Sequence, residues 1–146
     1  MNIIRANVEH TDLITPLFDL YRQFYKAESN IEASRQFILD RLSKNESVIF
    51  LALENETGIG FVQLYPLFAS VALKPLWLLN DLYVDSSARK MGVGEALMHN
   101  AEEFAKETNA RGLFLRTATD NIPAQKLYEK CGWVRDEQFY RYDLVF

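Results

Sequence analysis

Residues 80–94 read NDLYVDSSARKMGVG, and they hold the two groupings in this chain most suited to chemistry. The first is Asn80 beside Asp81, two polar residues inserted into the otherwise apolar run PLWLLNDLYV that opens at Pro75. A run of that kind is what a strand covered on both faces looks like, so the polar pair marks either a wet strand end or a reacting centre. The second grouping is Arg89, Lys90, Met91, Gly92, Val93 and Gly94, at the point where the chain turns into a helix. Unpaired N–H groups at a helix N-terminus attract anions, and glycine lets an anion approach the backbone closely. Arg89 and Lys90 add full positive charges. The turn therefore suits a pyrophosphate, although a tight strand-to-helix turn with solvated Arg and Lys would use the same residues.

Rival phosphate motifs do not fit. A dinucleotide fingerprint requires a glycine where Leu97 stands, and its turn follows the first strand of the fold. The Gly-Lys-Ser/Thr end of a nucleoside-triphosphate loop is absent from the chain.

The elements that must position these groups follow from hydrophobic periodicity. IIRAN reads as an opening strand, then Thr11 as the N-cap of a helix carrying Leu13, Leu17, Leu20, Tyr21 and Phe24. Ser29 with Glu32 resembles a capping box for a second helix bearing Ile31, Ile38 and Leu42. SVIFLALE and GIGFVQLY flank a turn as a hairpin, and the strand beginning at Pro75 follows. From Val93 a helix puts Val93, Leu97, Ala101, Phe104 and Ala105 on one face and Glu95, His99 and Glu102 on the other. RGLFLRTAT is the next strand, so strand, helix and strand form a βαβ crossover and a parallel pair. Asn121 caps a last helix with Pro123 in its first turn, ended by Gly132, and QFYRYDLVF reads as a closing strand. The expectation is an α+β domain spanning residues 1–146, with a mixed, mostly antiparallel sheet, a central parallel βαβ pair and helices on both faces.

Composition narrows the function classes. Of the 146 residues, 49% are hydrophobic, enough for a core along one domain. Sixteen Lys and Arg against twenty Asp and Glu give a net charge of −4, which argues against a broad nucleic-acid surface. No apolar run is long enough to cross a membrane and the first residues do not read as a signal peptide, so a cytoplasmic location without membrane association is expected. The single cysteine, Cys131, sits on the face of the last helix shared with Leu127 and Tyr128 and reads as packing rather than a nucleophile. His10 and His99 have no metal-ligand spacing, so no metal is expected.

Two stretches, LNDLYVDSSARKMGVGEALM and DNIPAQKLYEKCGW, resemble the GNAT superfamily of acyl-CoA-dependent N-acyltransferases. The first matches the family's Arg/Gln-x-x-Gly-x-Gly/Ala signature as Arg89, Gly92 and Gly94. The second matches its Asn-x-x-Ala-x-x-x-Tyr helix as Asn121, Ala124 and Tyr128, followed by Gly132-Trp133 where Gly-Phe is commoner. The resemblance runs from about Leu78 to Trp133, and the order of elements before it also fits.

The resemblance implies an acetyl-CoA cofactor, with its pyrophosphate on residues Arg89 to Gly94. Pantetheine would lie along Leu82, Tyr83 and Val84 where that strand parts from its parallel neighbour, and Asn121, Ala124 and Tyr128 would complete the cofactor site. A backbone N–H near Leu82 or Tyr83 would stabilise an oxyanion. Asp81 is the nearest group to take a proton from the acceptor amine, through water or by binding the ammonium, or it is only structural. Some polyamine-type relatives carry a glutamate where this chain has Asn80, so no carboxylate base stands there. Tyr128 matches the family's general acid, or it is a core tyrosine. Tyr25, Glu28, Tyr65, Phe68 and Trp77, with Asn80 and Asp81, would line the acceptor site, or the aromatics mark a contact in a possible homodimer. The implied activity is N-acetylation of a primary amine on a small molecule or peptide. An acyl-CoA-binding regulatory module without useful turnover is the alternative.

Overall fold

The computed structural model describes residues 1–146 as two compact units, Met1–Leu115 and Arg116–Phe146. The first contains β1 (Asn2–Arg5), α1 (Thr11–Phe24), α2 (Ile31–Ser43), β2 (Val48–Glu54), β3 (Thr57–Ala69), β4 (Lys74–Val84), α3 (Val93–Glu107) and β5 (Leu113–Phe114). Its sheet has the order β1-β2-β3-β4-β5, antiparallel throughout except for the parallel β4–β5 pair at one end. The fold is thus the expected mixed α+β arrangement. No helix is long and apolar enough to cross a membrane.

Helices cover both faces of this sheet, and neighbouring residues of β3 show it. Phe61 points toward α1, meeting the rings of Phe18 at 6.2 Å and Tyr21 at 6.1 Å. Gly60 points the opposite way, where a Cβ would press on Val93 at 3.2 Å and Leu97 at 3.3 Å of α3. Glycine there lets α3 sit close to the strand. The α1 face holds a buried cluster of Ile14, Leu17, Phe18, Ile38, Ile49 and Leu51 around Phe61. The α3 face is built on Leu97, Met98 and Ala101, with Phe104 edge-on to Phe50 and Trp77.

Two helix starts differ from the sequence reading. A single 3₁₀ turn, Val8–His10, precedes α1, and Asn7 caps that turn by accepting from the Glu9 N–H. Thr11 is therefore already helical, and its hydroxyl donates backward to the Val8 carbonyl at 2.7 Å. The buried stripe of α1 runs through Ile14, Leu17 and Phe18, while Leu20 and Phe24 are exposed. In α2 the cap is Asn30, which accepts from the Ala33 N–H at 3.0 Å. Ser29 is committed elsewhere, because its hydroxyl donates to Asp19 at 2.6 Å.

Asp19 explains that change. It is 2% exposed on α1 and also accepts from the Asn30 N–H at 2.8 Å, the Ser34 hydroxyl at 2.9 Å and the Gln23 amide at 3.0 Å. Burial alone would raise its pKa, but these donors together hold it below the ordinary value. One carboxylate thereby ties α1 to the first turn of α2 and sets the loop 25–30 between them.

The second unit contains α4 (Ile122–Lys130), capped by Asn121 through the Ala124 N–H at 3.3 Å and followed by Gly132 at φ +90°. The expected closing strand is not part of the sheet. Residues 134–146 form no regular element and every one of them is exposed. Cys131 and its α4 neighbours are half-buried or exposed rather than core.

Replacing Asp19 with Ala strands two hydroxyls and a backbone N–H. The expected loss is about 2–4 kcal/mol of unfolding free energy, measured by urea titration, with faster hydrogen exchange at the start of α2. A change within experimental error would show that the carboxylate is not what joins the two helices.

Candidate active site

Pairing between β3 and β4 is regular from Gly60↔Val84 to Gln63↔Asp81, then resumes at Leu64↔Leu79, so Asn80 is left over as a bulge. A bulge shifts the phase of a strand and re-aims its side chains. Here it puts both Leu79 and Asp81 into the interior on opposite faces: Leu79 pairs with buried Leu64, and Asp81 with buried Gln63 under α1. The Asn80 carbonyl, freed from the ladder, accepts from the Tyr21 hydroxyl at 3.2 Å.

Asp81 is only 3% exposed, so it is not at a wet strand end. Its Oδ2 accepts from the Gln63 amide at 2.5 Å and its Oδ1 from the Asn80 amide at 3.0 Å. Gln63, wholly buried, is oriented in turn by the Ser47 hydroxyl, which donates to its carbonyl oxygen at 2.8 Å. Amide orientation along Ser47, Gln63 and Asp81 is therefore fixed by who can donate. Burial pushes the Asp81 carboxyl above its ordinary value, and the hydrogen bonds from Gln63, Tyr21 and Asn80 offset only part of that rise.

The surrounding phenols respond to the same carboxylate. Burial, and then the negative charge of Asp81, hold the Tyr21 hydroxyl far above its ordinary value. The same two causes push Tyr65 up to about 12. Both phenols remain protonated donors near neutrality. Tyr25 packs edge-on to Tyr21 at 5.1 Å, and Glu28 is exposed on the following loop. Tyr65 also lines a shallow hollow of about 600 Å³ with Phe37, Arg41, Asn45, Glu46 and Pro66. Tyr21, Tyr25, Tyr65, Asn80 and Asp81 thus share one face of the sheet.

Trp77 does not join them. Its ring meets Phe104 of α3 at 5.0 Å and its indole N–H donates to the Thr108 hydroxyl at 2.9 Å, which places it on the opposite face. Expecting Trp77 in the acceptor site is thereby corrected: the strand phase set by the bulge points it away. Phe68 is largely exposed in the β3–β4 hairpin.

Beyond Asp81, β4 loses its parallel neighbour. The β4–β5 ladder consists of Trp77↔Leu113 and Leu78↔Phe114, so Leu82, Tyr83 and Val84 have no partner on that side. After Val84 the Asp85 carboxylate accepts from the N–H of Ser87, closing a short turn. Arg89 folds back, its Nε donating to the Val84 carbonyl at 3.1 Å and its guanidinium lying 5.7 Å from the Tyr83 ring centre. Lys90 and Gly92 both have left-handed backbone, at φ 66° and 78°. Gly92 is the N-cap of α3, and no side chain caps that helix. Space within 4 Å of the position where a Cβ would stand on Gly92 is empty. An uncapped 15-residue helix start, a bare backbone position and an adjacent guanidinium form a cradle that fits a diphosphate. Met91 is exposed beside it, Val93 is buried beneath it, and Gly94 lies in the first turn of α3.

In the second unit, Asn121 spends its side-chain oxygen on capping α4, whereas Ala124 and Tyr128 lie half-buried along the helix. The Tyr128 ring stands 6.3 Å from that of Trp133. His99 is on the polar side of α3, between Glu95 at 3.9 Å and Glu102 at 3.5 Å.

Sequence reasoning missed Tyr21, Gln63 and Ser47 as members of this site. A signal existed for Gln63, the one polar side chain inside GFVQLY. Nothing in the sequence pairs it with Asp81, because that depends on the bulge.

The sequence signature of the acetyltransferase (GNAT) family matches residues 14–133. The chain is 42% identical over 144 residues to the uncharacterized N-acetyltransferase YhfO of Bacillus subtilis (strain 168), covering 99% of this chain and 97% of that protein. It is 34% identical over 119 residues to a probable acetyltransferase of Haemophilus influenzae, covering 81% and 82% of the two chains. A crystal structure of a probable acetyltransferase superposes with a TM-score of 0.94 at 45% identity, covering 100% of this chain and 98% of that one.

The raised Asp81 pKa carries a sign for stability. The folded carboxyl holds its proton more tightly than the unfolded one, so its contribution is fully present below the ordinary value of 3.8 and is lost as pH rises through the folded value. Asp81→Asn removes that dependence. Its melting temperature relative to the parent is expected to rise as pH climbs from about 4 toward neutrality; a flat or falling difference would mean the buried carboxylate is not destabilised by its charge.

Proposed function

Because the chain belongs to the GNAT acetyltransferase family, we propose that it moves an acetyl group from acetyl-CoA to a primary amine of a small molecule or peptide by direct transfer. The observation that carries this reading is the joint placement, on one strand, of a buried carboxylate and a backbone edge unpaired on one side that leads into a helix start without a side-chain cap. Bound acetyl-CoA would supply the thioester carbonyl that an amine attacks.

The chain's own residues have separable roles. The N–H groups at the start of α3, with Arg89, would hold the diphosphate, Lys90 and Met91 flanking it. Leu82, Tyr83 and Val84 would offer main-chain hydrogen bonds to the pantetheine amides, as an added strand does. A backbone N–H of Leu82 or Tyr83 would hold developing negative charge on oxygen. The family resemblance assigns Asn121, Ala124 and Tyr128 to acetyl-CoA as well, with the Tyr128 hydroxyl as the group that would give a proton to the departing sulfur.

An alkylamine with a pKa of about 10.4 arrives protonated and must lose that proton before it can attack. Asp81 receives it in this reading. At 3% exposure the carboxylate is out of direct contact with a bulky acceptor, so the proton travels by way of the Tyr21 hydroxyl or a water. A pKa lifted toward neutrality makes Asp81 a better base than an exposed aspartate. Tyr25, whose ring packs on Tyr21, and Tyr65 would guide the amine, with Glu28 contributing charge at the mouth.

Release of free CoA thiol from acetyl-CoA, followed against polyamines, amino acids, aminoglycosides and lysine peptides, tests the proposal. Asp81→Asn is expected to lower kcat by about 10²–10⁴ while CoA binding by calorimetry is retained. Turnover equal to the parent's would remove Asp81 from the mechanism. Binding of CoA with no thiol release from any amine would favour the regulatory module instead.

At the turn, Gly92→Asn tolerates left-handed backbone and keeps the charge neutral, whereas Gly92→Asp adds a negative charge where the diphosphate is placed. The aspartate variant is expected to bind CoA at least tenfold more weakly than the asparagine variant at matched stability. Equal affinities would exclude this turn as the anion site.

A further inference from the structure

Packing alone does not explain Gln63. It lies on β3 between Phe61 and Tyr65, on the face under α1, and is wholly buried where an apolar side chain would be easier to take out of water. Both ends of its amide are used. The N–H end donates to Asp81, its ladder partner on β4, at 2.5 Å, and the carbonyl end accepts from the Ser47 hydroxyl at 2.8 Å. Ser47, just before β2, is buried as well. An amide can turn either end toward a neighbour, and only the N–H end suits a carboxylate. By holding the carbonyl, Ser47 keeps that end in place.

No cation balances the charge of Asp81: its partners are Gln63, Asn80 and Tyr21, all neutral. The titratable groups that face it are few. α1 presents Tyr21 with Tyr25 packed on it, and β3 presents Tyr65. α2 contributes Arg41, whose charge acts on Tyr65 rather than on Asp81. Beside Gln63 the β2 side offers only Ser47 and Ile49, neither of which titrates. Asn80 and Tyr21 are half-buried, so water can stand in for either of them. Gln63 is sealed from solvent, and its donor has no such substitute.

A carboxyl must be ionised before it can take a proton. Buried without donors, Asp81 would already carry one and could accept no other. We propose that Gln63, turned by Ser47, is a positioning residue for acetyl transfer: it keeps Asp81 charged and aimed, so that the carboxylate is ready when an amine arrives. The role rests on the reading that Asp81 accepts the amine's proton. In that step the ammonium N–H bond breaks, its electron pair stays on nitrogen for attack on the thioester, and the proton ends on an Asp81 oxygen. Gln63 continues to donate to Oδ2, which favours return of the proton to solvent and resets the site. The fixed amide thereby determines how far down in pH the enzyme works.

Carbon NMR of the Asp81 carboxyl across pH, on the free full chain, tests the link without any turnover, and the Asp81→Asn chain identifies the resonance. Gln63→Met keeps the length of the side chain but removes both hydrogen bonds, whereas Ser47→Ala frees the amide to turn. The expected titration midpoint is about one to two pH units higher in Gln63→Met, as loss of one hydrogen bond to a charged group requires, with a smaller rise in Ser47→Ala. The acidic limb of kcat/KM for thiol release from acetyl-CoA, measured with the fastest acceptor among the polyamines, amino acids, aminoglycosides and lysine peptides, should move up by the same amount, and the rate should recover above it. Damage to packing alone would lower the rate at every pH. A midpoint that does not rise in Gln63→Met overturns the proposal; should that chain not fold, Ser47→Ala decides in the same way. A midpoint that rises while the limb stays overturns Asp81 as the proton acceptor, and with it this role for Gln63. Absence of turnover with every amine overturns the transfer reading itself, whatever the midpoints do.

Discussion

A single carboxylate, buried at a strand irregularity, sets most of what is distinctive in this protein. Asp81 is held under α1 by two side-chain amides, and it is there because Asn80 is extruded from the β3–β4 ladder. Remove the bulge and the phase of β4 changes by one residue, which would turn Asp81 toward α3 or Leu79 toward α1. Each of the neighbouring polar groups answers a need created at that point. Gln63 and Asn80 satisfy the carboxylate, Ser47 fixes Gln63, and Tyr21 takes the carbonyl that the bulge leaves over. No buried side-chain polar atom is left without a partner. A network closed in this way costs less than an isolated buried charge, but it still leaves the Asp81 carboxyl above its ordinary value.

The same irregular strand serves the other end of the site. β4 is bonded to β5 only as far as Leu78, and it then runs to Val84 paired with β3 alone before the turn that starts α3. An unpaired edge and an uncapped helix start are both liabilities in a protein with no ligand, since each leaves polar backbone groups to water. Their succession along one stretch of chain makes sense if a single long ligand with amides at one end and a diphosphate at the other satisfies both. Left-handed backbone at Lys90 and Gly92 is the local cost of aiming that turn. The two carboxylates of the α1 face divide the labour. The donors to Asp19 outweigh its burial and fix the loop between α1 and α2, whereas those to Asp81 offset its burial only in part.

Much of this was legible in the sequence, and the reason differs from element to element. The hairpin, the βαβ crossover and the glycine turn depend on local signals: alternation, the period of α3, and a glycine where φ must be positive. The Asn80-Asp81 pair was visible as polarity in an apolar run. What could not be read was set by contacts between distant residues. Asn30 rather than Ser29 caps α2 because Asp19, ten residues upstream of Ser29, claims the serine hydroxyl. The buried stripe of α1 passes through Ile14 and Phe18 because Phe61 and the α2 cluster lie there, although Leu20 and Phe24 fit the helical period equally well. Trp77 reads as a site aromatic until the bulge fixes which way it points.

The closing strand shows where pattern reading stops. Alternation in QFYRYDLVF describes a segment suited to lie half-buried, yet residues 134–146 form no regular element and every one of them is exposed. Alternation says nothing about whose edge the segment meets. Local propensity fixes how a strand is shaped, whereas its ladder partner is fixed by free energy summed over distant surfaces. The second unit, without one buried residue, cannot supply those surfaces for itself. Apolar side chains along such a segment contribute stability only where something covers them, so the pattern is read locally and the covering surface is not.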